Sequence, residues 1–132
     1  MDEFETKLDA VFAVIVPQTQ VQTQKPKAIW VDFDGTLTSD PPSRDPLCQA
    51  PREDVVGAIR QLKQQCLALN VIVFTARPWA DMMGIKEWLD AHCVPYDSVV
   101  CGKPSVNACI DNISVNPCLP GWQQQLNHLL GL

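Results

Sequence analysis

The sequence predicts an α/β fold, a three-layer Rossmann-like arrangement with a mainly parallel central sheet. Three observations carry this expectation. From Lys27 onward, short apolar runs alternate with stretches of helical periodicity. The apolar runs are nearly continuous, as suits strands buried on both faces. Polar, chemistry-bearing residues follow the runs directly, where open parallel sheets place a ligand crevice. A chain of 132 residues suits one compact domain, so one active site is expected.

Residues 1–24 stand apart from that rhythm. Phe4, Leu8, Val11, Phe12 and Ile15 fall near helical spacing, and Asp2, Glu3, Glu5 and Asp9 crowd the favourable N-terminal end, so a short amphipathic helix is expected before Pro17. It would pack on the domain or, alternatively, mediate self-association, which leaves a homo-oligomer open, or remain disordered. The Gln-rich stretch 18–24 reads as a linker, and the catalytic domain is expected over 25–132. Within it the first strand is 28–31. A helix over 52–69 offers Val56, Ile59, Leu62, Cys66 and Leu69 as its apolar face. A strand at 71–74, a helix at 80–92, a strand at 98–101, a short strand at 108–110 and a closing helix at 121–130 complete the series.

The net charge of −5 argues against a broad grip on nucleic-acid phosphates. The longest apolar run, Ala10 to Val16, is too short to cross a bilayer, and no signal-peptide pattern precedes it. No two of the six cysteines have C-x-x-C spacing, so structural zinc is not expected. Reduced, mostly buried thiols in a cytoplasmic protein are.

Three strand-end segments carry chemistry: Asp32-Phe33-Asp34-Gly35-Thr36, Thr75-Ala76-Arg77-Pro78 and Asp111-Asn112. Two acids one residue apart, followed by Gly, form a turn in which both carboxylates can approach one phosphate in different roles. With Lys103 in Gly102-Lys103-Pro104, these segments resemble, in order, the four motifs of the haloacid dehalogenase superfamily of aspartyl phosphotransferases, and the resemblance spans about residues 27–116.

The resemblance implies an Mg²⁺-dependent phosphomonoester hydrolase. Asp32 would be the nucleophile and Asp34 the general acid and base. Thr75 and Lys103 would orient the phosphoryl group and stabilise its charge. Gly35, Thr36, Ala76 and Arg77 would complete the substrate site, with Arg77 reaching a second anionic group or else turned outward. Asp32, Asp34 and Asp111 would hold Mg²⁺, Asp34 through its backbone carbonyl. Asn112 stands where many members carry a second acid, which implies altered metal binding.

Too few residues lie between Thr36 and the helix near Arg52, or between Thr75 and Lys103, for an inserted cap domain. The chain therefore resembles a capless member, and small relatives of the phage and capsule-cluster type suggest a sugar phosphate or similar small metabolite. The alternatives are a polynucleotide-end phosphatase and a non-catalytic binding or assembly module on the same fold.

Overall fold

A computed structural model describes residues 27–39 and 44–132. The helix expected over 1–24, its linker and the boundary at residue 25 lie outside these residues. Three strands form the sheet in the order β1-β2-β3: β1 (Ala28–Val31), β2 (Asn70–Phe74) and β3 (Ser98–Val100). Both pairings are parallel, with Val31 opposite Val73 and Phe74 opposite Val100. This register ends all three strands on the same side, so the segments after Val31, Phe74 and Val100 emerge together.

The connecting helices are α1 (Glu53–Gln65) and α2 (Met82–Ala91), and α3 (Trp122–Leu130) closes the chain. Glu53 and Asp54 in the first turn of α1 complement its dipole. Val55, Val56, Ile59 and Leu62 of α1 join Ile85, Trp88 and Leu89 of α2 in one core with Val71, Val73 and Val99 of the sheet. The Arg60 guanidinium donates to the carbonyls of His92 and Cys93 and ties α1 to the end of α2. Trp122 and Leu126 of α3 pack against the same core.

The α/β class and the parallel sheet agree with the sequence. Four details differ. The helix expected over 52–69 stops at Gln65, because the chain must leave the helix for Leu69 to enter the core; Leu67, between them, is 80% exposed. The strand expected at 108–110 does not form, and Ile110 is fully exposed. Burial also alternates along β2, and Trp30 of β1 is 70% exposed against Phe74. One face of the sheet therefore carries the core, and the other is only partly covered among the described residues. The cysteines are all free, but four of the six are exposed and only Cys101 is fully buried, so the expectation of mostly buried thiols is corrected.

No cap intervenes among the described residues. Among the described residues between Thr38 and α1 there is a short turn of helix at Pro46–Cys48, and between Thr75 and Lys103 there are α2, its leading turn Trp79–Asp81 and β3.

Candidate active site

The turn after β1 is built by its sequence. Asp34 (φ −68°, ψ 126°) and Gly35 (φ 75°, ψ 1°) have the dihedrals of the two central residues of a type II turn, which requires φ above zero at the second. Glycine meets that requirement without steric cost. Thr38 closes the loop: its N–H and hydroxyl both donate to the Phe33 carbonyl (3.1 and 3.3 Å), and its Oγ1 accepts from the Gly35 amide at 3.1 Å. Phe33 anchors the turn in the core, with its ring edge-on to Trp88 at 5.1 Å between centroids. The two flanking acids are thereby projected from a fixed support.

They are held differently. Asp32 is half-exposed; its Oδ1 accepts from the Phe33 amide at 2.8 Å and faces the Lys103 Nζ at 3.4 Å. No donor among the described residues reaches its Oδ2. Asp34 is more enclosed. Arg77 donates from Nε to Oδ2 and from Nη2 to Oδ1, both at 2.8 Å, and Gln49 Nε2 donates to Oδ1 at 2.8 Å. The Arg77 side chain is 10% exposed, lies over the Phe33 ring and also reaches Asp81 at 3.3 Å and the Arg44 carbonyl at 3.0 Å. The hydrogen bond to Asp34 holds the guanidinium above its already high proton affinity, against the opposing effect of burial.

The loops after β2 and β3 are tied to one another. The Thr75 amide donates to the Val100 carbonyl, that of Lys103 to the Thr75 carbonyl and that of Gly102 to the Arg77 carbonyl, at 2.9 to 3.0 Å. Gly102 has φ +78°, and a Cβ there would meet the Trp79 indole at 3.4 Å, so glycine is needed where the chain turns to present Lys103. The Lys103 ammonium also lies 5.6 Å from the centroid of the Phe74 ring. Thr75 is fully buried, and its hydroxyl oxygen accepts from the Arg77 amide at 3.1 Å. The exposed Ala76 amide has no acceptor among the described residues. Cys101 is buried, which raises its thiol pKa, with the Asp81 charge adding to the effect, so the reactive thiolate is disfavoured.

Asp32, Asp34, Gly35, Thr36, Thr75, Ala76, Arg77 and Lys103 thus lie on loops at one end of the sheet. Asp111 does not join them as a metal ligand. Without the expected strand at 108–110 it lies on an exposed stretch, and its Oδ1 accepts from the Ile113 amide two residues on. Among the described residues no three His, Cys, Asp or Glu side chains come together as a metal-binding group. The three carboxylates of Asp32, Asp34 and Asp111 are therefore not gathered as one group, and the residues as placed do not fit an ion held by all three side chains. Gly35 also differs from its expected part, since its amide is already bound by Thr38.

Sequence reasoning missed Gln49 and Asp81. Gln49 is a buried polar residue in a Pro-rich loop, and nothing local marks it; its backbone carbonyl is fixed by the Trp88 indole N–H at 2.9 Å. Asp81 had a weak signal in its i,i+4 spacing from Arg77.

The fold and this crevice define a parallel α/β domain, without a cap among the described residues, with its polar site at the strand ends. No family model and no curated protein matches the chain. Among solved structures, an MCSG target from Vibrio cholerae is 30% identical, with a TM-score of 0.65 over 80% of this chain and 97% of that one. The chain belongs to the family of this Vibrio cholerae protein. A chain of the Pnkp1/Rnl/Hen1 complex is similar at 23% identity and a TM-score of 0.52, over 69% of this chain. A chain of the Pnkp1/Rnl/Hen1 RNA repair complex is similar at 22% and 0.53, over 80% of this chain. These alignments take in 32% of the larger chains, and the likeness is one of fold. No described helix is long and apolar enough to cross a membrane.

Proposed function

We propose that this chain is a phosphomonoester hydrolase of the haloacid dehalogenase superfamily that works through an aspartyl-phosphate and acts on a phosphorylated small molecule. The observation that carries the reading is the unequal treatment of the two acids on one turn. Asp32 keeps an open Oδ2 beside a lysine, as a nucleophile needs, while Asp34 is held by Arg77 and Gln49, as a group that must present a proton at a fixed place needs.

In the first half-reaction an oxygen of Asp32 attacks phosphorus, the bond to the leaving oxygen breaks, and that oxygen takes a proton from Asp34. In the second, water attacks the phosphorus of the aspartyl-phosphate, Asp34 takes the water's proton, and orthophosphate leaves as the Asp32 carboxylate is restored. Lys103 supplies positive charge where Asp32 and the transferred group share negative charge, and the Ala76 amide is the donor for a phosphoryl oxygen, while the buried Thr75 hydroxyl braces the loop through the Arg77 amide.

The test is phosphate release from sugar phosphates, nucleotides and 3′- or 5′-phosphorylated oligonucleotides, with Mg²⁺ and after chelation, beside Asp32→Asn. Release that disappears in the variant, with an unchanged unfolding midpoint, is expected. Undiminished release by Asp32→Asn removes the proposed nucleophile. No release from any substrate favours a binding module.

A second reading, a polynucleotide-end phosphatase, is favoured by the fold shared with a chain of an RNA repair complex and by the uncapped crevice with Trp79 57% exposed near its rim. Preference for the phosphorylated oligonucleotides over the sugar phosphates would select it.

A further inference from the structure

Asp34 has two oxygens and Arg77 grips both, while Gln49 adds a second donor to Oδ1. A carboxylate oxygen accepts in two lone-pair directions, so Oδ1 is filled. Among the described residues Oδ2 receives the Arg77 Nε–H alone and keeps one direction in which a proton can be held. The fork fixes the plane of the carboxylate, because two parallel N–H···O bonds from a rigid guanidinium set both distance and angle.

Arg77 is itself immobilised. Its Nη1 is held by the Arg44 carbonyl and Asp81, its ring neighbour is Phe33, and its side chain is almost fully covered. So enclosed and so occupied, the guanidinium is placed to direct Asp34 and not to receive a substrate anion.

Building on the reaction above, we propose that Arg77 is a positioning residue for proton transfer: with Gln49 it confines the exchangeable proton of Asp34 to the open side of Oδ2. Arg77 acts through Asp34 and does not touch the substrate. The step it governs is protonation of the leaving oxygen as its bond to phosphorus breaks. A leaving group that departs readily as an anion has little need of that step, and an alkoxide depends on it.

The experiment compares kcat/KM for 4-nitrophenyl phosphate and glycerol 3-phosphate in the wild type, Arg77→Met and Arg77→Lys, because kcat/KM reports the first half-reaction. In Arg77→Met the alkyl ester is expected to lose about 100-fold and the aryl ester only a few-fold. Arg77→Lys, which restores charge but not the fork, should fall between. Equal losses on both esters, through a raised KM or through a lowered folded fraction, would overturn the proposal in favour of substrate binding or a merely structural part.

A second readout needs no turnover. The Arg77 Nε–H should give a signal protected from solvent exchange in ¹H–¹⁵N spectra that persists in Asp81→Asn and disappears in Asp34→Ala. Absence of that signal in the wild type, or its survival in Asp34→Ala, overturns the clamp whatever the activity. A wild type with the clamp intact that hydrolyses neither ester nor any of the phosphorylated substrates named above overturns the reaction and, with it, the role of Arg77 in proton transfer.

Discussion

Replacing Trp88 by Phe should weaken the domain by a calculable amount and disturb the site without touching it. The indole is 1% exposed, lies edge-on to Phe33 and donates its N–H to the Gln49 carbonyl at 2.9 Å. A phenyl ring leaves a void on the order of 40 Å³, worth about 1 kcal/mol. The Gln49 carbonyl, stranded beside buried apolar groups, adds about 1–3 kcal/mol. Part of the aromatic contact with Phe33 survives, so the sum is about 2–4 kcal/mol against a domain stability of about 5–15 kcal/mol. Urea unfolding should therefore show a lower midpoint with an unchanged slope. Because Gln49 also donates to Asp34, turnover of an alkyl phosphate should fall more than that of an aryl phosphate in the folded variant. A stability change under about 0.5 kcal/mol, the range of surface substitutions, would show that the indole is neither enclosed nor bonded as described.

Two further outcomes test the fold. Asp97 accepts from the Val71 amide at 2.8 Å and from Lys63, and the amide first, then the lysine, hold its pKa below the ordinary value. The stability it adds is thus fully present above the unfolded value of about 3.9 and is lost as pH falls through the lower folded value. With the carboxylate 44% exposed, Asp97→Ala should cost about 1 kcal/mol at pH 7 and progressively less as the pH falls below the unfolded value, read by thermal unfolding across that range; a constant difference would refute the linkage. Ile110 is fully exposed, so Ile110→Ser should leave the melting temperature within the scatter of surface changes. A loss above about 2 kcal/mol would mean that 108–110 is a buried strand after all.

Much of the fold was legible because its determinants are local. The apolar runs 28–31 and 71–74 announce strands by composition, and the face Val56, Ile59, Leu62 announces α1 by period. Asp34-Gly35 announces a turn because the φ of 75° at its second position suits glycine. With parallel order known, the site loops had to leave the same end of the sheet, and so the meeting of Asp32, Thr75 and Lys103 was readable too. Other features depend on partners distant in the chain. Ala108-Cys109-Ile110 has a strand's composition, but a strand exists only where a neighbour takes its hydrogen bonds, and none does so among the described residues. Arg77 stands 43 positions from the acid it grips, and Gln49 stands 15 from it, so no spacing rule connects them. The sequence by itself determined the kinds of element, their order and the end of the sheet at which the acids gather. Only the tertiary structure decided which acid is open and which is clamped, because that follows from packing that buries Arg77 and from an indole that fixes Gln49.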